Sequence, residues 1–233
     1  MNKRIIAALC LVLTLFLPVR VAATEENTEQ GCRIQAGEAK SLPGKTVQIA
    51  VSIAGNPGLT NFGIGLEYDA QKLELKEIRT AQGETPYLGG RYVSANTAWK
   101  TEGNTTIGYV TGAHYEKITG DDTLFVACFE VKAEAPDTTF VIPRVYYLRC
   151  VDESAVFSDI TATVGQGEIR IVQKGDINMD GIVEYDDVIA AYKAAGMELE
   201  LTAQALEIAD MDGSGVVNMA DAKAIYSIYT GGN

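Results

Sequence analysis

Two short stretches near the end of the chain repeat one arrangement of oxygen-bearing side chains around a glycine. The first runs Asp176, Asn178, Asp180, Gly181, Ile182, Glu184, Asp187, and the second runs Asp210, Asp212, Ser214, Gly215, Val216, Asn218, Asp221. The copies lie 34 residues apart. These residues occupy places 1, 3, 5, 6, 7, 9 and 12 of a calcium loop. Alternate side chains at the first, third and fifth places point to one side of a tight turn. Glycine at the sixth place allows a bend that a Cβ resists. The seventh place needs only its carbonyl, so Ile182 and Val216 serve there. The ninth acts directly or through a water, and the twelfth adds a carboxylate from the first turn of a following helix. The set suits a hard cation that takes six to eight oxygens, and it predicts two bound Ca2+ ions. Two copies at a fixed spacing, each leading into an apolar helical pattern, speak against chance acidic turns.

The copies depart from an EF-hand. The twelfth place is Asp in both, where an EF-hand has Glu. Sequence of β character, Ile169-Arg170-Ile171-Val172, runs up to the first loop with only Gln173-Lys174-Gly175 between. A loop followed by a helix, duplicated, with Asp at place 12, resembles the dockerin family. Residues 200–209 are similar to the middle helix of a dockerin, and the resemblance covers about residues 174–230. It implies a small all-α module whose folding depends on its two ions, because a domain this small has little core to oppose carboxylate repulsion. Ala190 and Tyr192 match Ala224 and Tyr226 at the same offset, which gives the module an internal pseudo-twofold. In the family, partner choice often rests on loop places 10 and 11. Here these are Tyr185-Asp186 and Met219-Ala220, which differ in charge and shape. With Tyr192 and Tyr226 they form the partner-binding set that the resemblance implies, and their inequality predicts a single binding orientation.

Charge and targeting signals narrow the function classes. The net charge is −12. The first 23 residues hold Lys3, Arg4 and Arg20 and no acid, so without them it becomes −15. Such acidity argues against nucleic acid, whose phosphates need Lys and Arg. From Lys174 onward there are 11 acids and 3 bases, so much of the excess belongs to the loops themselves. Lys3-Arg4, the apolar run from Ile5 to Leu17, Pro18 and the small residues Val21-Ala22-Ala23 read as a signal peptide over residues 1–23. No other apolar run reaches membrane-spanning length. Cys10 lacks a lipobox, and Thr230-Gly231-Gly232-Asn233 carries no sorting signal. The expected product is secreted and extracellular, free or attached to a larger complex, with no membrane contact after cleavage. Cys32, Cys128 and Cys150 remain, an odd number; a Cys32–Cys150 bridge and three small buried thiols are both open.

Residues 24–30 are polar and read as a disordered lead. From 31 to 172 the pattern is β. Thr46 to Ile53 alternates, and so does Asn61 to Asp69, with Phe62, Ile64, Leu66 and Tyr68 on one side and Asn61, Gly63, Gly65 and Glu67 on the other. Leu73 to Ile78, Thr106 to Thr111, Leu124 to Ala133, Phe140 to Leu148 and Glu168 to Val172 are further strands, while residues 79–104 read as loop-rich. Seven to nine short strands predict one β-sandwich over 31–172, followed by a helical module over 173–233.

Gly58-Leu59-Thr60-Asn61-Phe62, then Tyr68-Asp69 and Lys72-Leu73-Glu74-Leu75, are similar to the early strands of a cohesin. So are Leu42-Pro43-Gly44-Lys45 and Gly120-Asp121-Asp122-Thr123-Leu124-Phe125 leading into Phe129-Glu130-Val131-Lys132. This resemblance implies a nine-stranded jelly roll that binds a dockerin through one sheet face, with Asn61 at the family's contact position. Two residues on, where cohesins commonly carry a polar or acidic contact, stands Gly63, with Gly65 next on the same face. Two outward glycines weaken a strand by about 1 kcal/mol each and need a reason. Close approach of a partner helix and a bend in the sheet are the two alternatives.

Catalytic signatures do not stand out. His114 is the single histidine, and there is no Gly-x-Ser-x-Gly, His-x-x-x-His or P-loop pattern. Carboxylates fall in loops and strand ends, so no enzyme is expected. Tyr87, Tyr92, Trp99, Tyr109 and Tyr115 raise the alternative of a sugar platform, though Tyr109, alternating with Gly108 and Val110, also reads as core. The combined expectation is a non-catalytic adaptor scaffoldin. Its dockerin docks onto the cohesin of a larger scaffold, and its cohesin-like part receives the dockerin of a secreted enzyme of polysaccharide degradation. The alternatives are a dockerin-borne carbohydrate-binding module and a structural spacer.

Overall fold

The computed structural model describes residues 31–80, 87–88, 91–135, 137–151 and 154–231. The leader read at 1–23 and the polar segment 24–30 lie outside the described residues. So do the side chains of Tyr87, Tyr92, His114 and Tyr115.

The chain begins with strands: β1 (Cys32–Ala36), β2 (Ala39–Ser41), β3 (Thr46–Ala54), β4 (Leu59–Asp69), β5 (Leu73–Arg79), β6 (Tyr87–Leu88) and β7 (Arg91–Glu102). It continues with β8 (Thr105–Ile118), β9 (Asp122–Val131), β10 (Thr139–Val151), β11 (Phe157–Asp159), β12 (Ala162–Gly165) and β13 (Gly167–Ile171). They form two sheets. One has the order β12-β1-β3-β9-β5, and the other β2-β13-β10-β4-β8-β7-β6 with β11 beside β10. Most neighbours are antiparallel, but β1 pairs with β12, and β13 with β2, in parallel.

The alternation read in the sequence builds the core. Phe62, Ile64 and Leu66 of β4 are fully buried, and Phe62 stacks on Phe125 of β9 at 5.9 Å between ring centroids. Tyr68 meets Phe129 edge-on at 5.2 Å. Each such side chain contributes about 1.5–3 kcal/mol by leaving water. The sandwich has more strands than the nine expected, since β2, β6, β11 and β12 are short edge pieces of two to four residues. The region read as loop-rich holds the 12-residue β7. Among its described side chains only Val93 is buried, so β7 lacks the apolar alternation that marks a strand. Its ladder to β8 holds it instead.

The three thiols are free. Cys32 lies in the first sheet and Cys150 in the second, and no bridge forms between them. Burial pushes the Cys32 and Cys128 thiols up.

Three helices follow: α1 (Tyr185–Ala195), α2 (Ala203–Ala209) and α3 (Met219–Tyr229). α1 and α3 have 11 residues each and open on equivalent capping boxes, Glu184 with Asp187 and Asn218 with Asp221. Their small core joins Ile177, Val188, Ala191, Ala205, Ala209, Ala222 and Ile225. A second cluster, Leu42, Val172 and Ile208, joins α2 to the sandwich. Among the described residues no helix is long and apolar enough to cross a membrane.

Candidate functional site

Both loops fold alike around their first and last acids. In the first, Asp176 accepts the Asp180 N–H on Oδ1 and the Gly181 N–H on Oδ2, each at 3.0 Å. In the second, Asp210 accepts from Ser214 at 3.0 Å and Gly215 at 2.7 Å. At place 12, Asp187 accepts from Asn178 at 3.1 Å and from Glu184 at 2.9 Å. Asp221 accepts from Met211 at 2.8 Å and from Asn218 at 2.9 Å. The twelfth carboxylate therefore ties the start of each loop to the start of its helix. Gly181 at φ +107° and Gly215 at φ +84° make the bend in the left-handed region, as their place requires.

The donor set fits a hard cation. Asp176, Asp187, Asp210 and Asp221 are buried carboxylates, at most 6% exposed. Burying an unpaired carboxylate is costly, and a bound cation offsets that cost. Carboxylate oxygens of Asp210, Asp212 and Asp221 all lie within 4.8 Å of one another. Lys174 gives its Nζ to the carbonyls of Glu207 and Asp210 rather than to a loop carboxylate. Burial pushes the Asp176 carboxyl up, and the Asp187 and Asp180 charges add to it against the N–H groups of Gly181 and Asp180. Burial and the Asp180, Asp186 and Asp187 charges likewise raise Glu184. The Gly215 N–H holds Asp210 below the usual aspartate range. Asn178 and Asp180 hydrogen-bond each other, and Ser214 Oγ donates to the Val216 carbonyl at 3.1 Å. Ile182 and Val216 point their side chains outward, leaving the backbone for the loop. Asn218 caps α3 by accepting from Ala220.

Above the loops, α1 and α3 pack on each other and expose an aromatic face. Tyr185, Asp186, Tyr192, Met219, Ala220 and Tyr226 are all exposed. Tyr229, which sequence reasoning missed, lies 6.1 Å from Tyr185 and 6.4 Å from Tyr226 between ring centroids. Its counterpart in the first repeat is Ala195, so the two ends of the face are not equivalent.

The second candidate surface is the outer face of β10-β4-β8-β7. Asn61 is half-buried on it, opposite Arg149 and Ala113. Gly63 and Gly65 lie beneath it, so the idea that they bring a partner close to bare backbone does not hold. A Cβ at Gly63 would stand 2.5 Å from Tyr147 Cε1 and 2.6 Å from Tyr109 Oη, and one at Gly65 would stand 2.9 Å from Ile107 and Tyr146. The glycines make room for rings laid across the strand. A bulge between Val145 and Tyr147 adds Tyr146, which turns both tyrosines onto this face.

Trp99, Tyr109 and Tyr146 meet in a cluster with centroids 5.1 to 5.4 Å apart. Tyr109 is therefore an outer-face residue and not core. Burial raises its hydroxyl's pKa, with Tyr147 adding. Trp99 and Tyr146 remain 46% exposed and border a cleft of about 530 Å³ with Glu67, Lys100, Glu102 and Arg144. The charges there pair off as Arg144–Glu67 and Lys100–Glu102. The doublet Tyr146-Tyr147 within an alternating strand is the sequence signal that marks the bulge.

A family model described as "Cohesin domain" matches residues 33–171. The seventh ScaB type I cohesin from Pseudobacteroides cellulosolvens is similar in structure, with TM-score 0.50 and 21% identity over 61% of this chain and 92% of that one. A type I cohesin–dockerin complex from Clostridium thermocellum matches at TM-score 0.48 and 20% identity, over 61% of this chain and 99% of that one. A non-cellulosomal cohesin from the archaeon Archaeoglobus fulgidus matches at TM-score 0.46 and 20% identity, over 61% and 92%. No curated protein matches the chain.

Proposed function

Because the chain belongs to the cohesin family, a family of non-catalytic protein-binding modules, we propose that it is an adaptor scaffoldin of a secreted, polysaccharide-degrading complex. Residues 31–172 receive the dockerin of a secreted enzyme on the outer face of β10-β4-β8-β7. Residues 173–233 are a dockerin that docks onto the cohesin of a larger scaffold. The observation that carries the reading is the presence of two separate aromatic surfaces in one chain, the Trp99, Tyr109 and Tyr146 face on the sheet and the Tyr185, Tyr226 and Tyr229 face on the helices.

Two Ca2+ ions belong to this reading. Asp176, Asn178, Asp180, Glu184 and Asp187, with the Ile182 carbonyl, would hold one. Asp210, Asp212, Ser214, Asn218 and Asp221, with the Val216 carbonyl, would hold the other. Bound calcium neutralises the clustered carboxylates. The loop residues then position α1 and α3 through Asp187 and Asp221, each of which caps its helix while spanning its loop. Tyr229 opposite Ala195 breaks the pseudo-twofold and supports one docking orientation. The two ends of the chain must not recognise each other, since head-to-tail contacts would build open filaments.

The exposed Trp99 beside a charged cleft favours a second reading, a dockerin-borne carbohydrate-binding module. One experiment separates the two. The full chain is immobilised, with and without Trp99→Ala, and offered culture supernatant in calcium or EDTA, with insoluble cellulose and xylan in parallel. Calcium-dependent capture of enzymes identified as dockerin-bearing, lost in Trp99→Ala, supports the adaptor. Retention on a polysaccharide that survives EDTA, without a protein partner, overturns it in favour of the sugar-binding reading.

A further inference from the structure

The link between sandwich and helices is packed. Val172 N–H continues the strand pattern by donating to Ser41 O at 2.9 Å, and Gly175 N–H donates to Ile208 O at 3.0 Å. Lys174 Nζ bridges the carbonyls of Glu207 and Asp210 at 2.7 and 2.6 Å. From the other side, Lys45 pairs with Glu207, and the Lys40 carbonyl accepts from Gln204 Nε2 at 2.9 Å. Leu42, Val172 and Ile208 close a small apolar cluster beneath these bonds.

The fourth place of the first loop joins this contact, and there the two loops differ. Both loops turn through positive φ at that place, Gly213 at +74° and Met179 at +59°. Glycine adopts this conformation freely, whereas a side chain resists it. Met179 holds it with two supports that, among the described residues, the second loop lacks. Its side chain packs against both the helical core and the Leu42 cluster. Its carbonyl accepts a hydrogen bond from Lys40 Nζ at 2.7 Å, from a residue 139 positions earlier.

We propose that the Lys40–Leu42 edge of the sandwich is a docking surface for the first metal loop, engaged through Met179, that fixes the helical module to the sandwich and raises the metal affinity of that loop. The metal clause rests on the calcium reading of the loops given above; the docking clause does not. Lys40 holds the Met179 carbonyl between two of the loop's oxygen ligands, Asn178 and Asp180. Part of the ordering that a cation would otherwise impose is therefore already made by the sandwich. The same contact turns α2 inward and leaves α1 and α3 facing outward, so the two partner surfaces keep one mutual orientation.

The test compares the full chain with Lys40→Ala and Met179→Gly, using calcium titration by calorimetry with site assignment by NMR, and 15N relaxation for domain tumbling. In the parent chain both parts are expected to tumble as one body. In Lys40→Ala the first site is expected to weaken roughly three- to tenfold, the effect of one lost hydrogen bond, with a smaller change at the second, and the parts to tumble more independently. Met179→Gly relieves the backbone; it is expected nonetheless to weaken the first site. Unchanged first-site affinity and unchanged tumbling in both variants overturn the proposal. If the parent binds no calcium at all, the calcium reading fails, and tumbling alone still decides whether the docking contact exists.

Discussion

Truncating Ile225 should change how much calcium the helical module needs in order to fold. Ile225 is fully buried in a core where four of the seven buried residues are alanine, so it supplies a large share of the module's apolar burial. Ile→Ala in such a site costs about 2–5 kcal/mol. If both ions bind as the module folds, each tenfold rise in free calcium adds about 2.8 kcal/mol, twice the 1.4 kcal/mol of one site. The calcium midpoint in Ile225→Ala should then rise roughly 5- to 60-fold. Among the described residues, helix is confined to residues 185–229, so helical ellipticity in the far ultraviolet reports on this module alone. The matching truncation Val110→Ala, buried in the sandwich, should leave the midpoint where it was. A midpoint unmoved by Ile225→Ala, or full helical signal in EDTA, would refute the coupling of folding to metal.

The first loop offers four carboxylates and the second three, so calorimetry should find the first site tighter, and the reverse order would remove charge count as the cause. Gly63→Ala must displace the Tyr147 and Tyr109 rings, and it should weaken binding of an enzyme-borne dockerin roughly tenfold in a titration. Unaltered affinity would take the tyrosines out of the interface. Gly112→Ala places a Cβ 2.1 Å from the Phe62 ring inside the core, and urea unfolding of the sandwich should show a loss of about 1–3 kcal/mol. No loss would mean that Phe62 has room to move.

The parts of the molecule legible in the sequence are those where one local pattern decides the outcome. β4 alternates because one face is core, and its four inward residues are buried as the pattern requires. The loop turns were legible because Gly181 and Gly215 stand where the bend falls and Asp176 and Asp210 accept the N–H groups that close it. Legibility failed where a residue's surroundings come from distant strands. On β8 the usual sense is inverted. Gly108 and Gly112 face inward beneath Leu75 and Phe62, while Tyr109 faces out, so size misleads about side. Gly63 and Gly65 look like gaps in the sequence, and are filled by rings from β8 and β10. Met179 reads as an ordinary residue between Asn178 and Asp180; only Lys40 and Leu42, far away in the chain, give it a purpose.

The two parallel pairings at the ends of the sandwich have a mechanical consequence. The chain enters at β1, whose neighbour is β12, and leaves through β13, whose neighbour is β2. Tension between the two ends drags β1 backward and β12 forward along the same line. The bonds of the four pairs from Cys32–Ala162 to Gln35–Gly165 are then sheared together, and cannot be peeled open one after another. β13 and β2 share load in the same way through Ile169–Ala39 to Ile171–Ser41. A chain pulled by its two ends would therefore have to break both sets of bonds together before the sandwich opened along these edges.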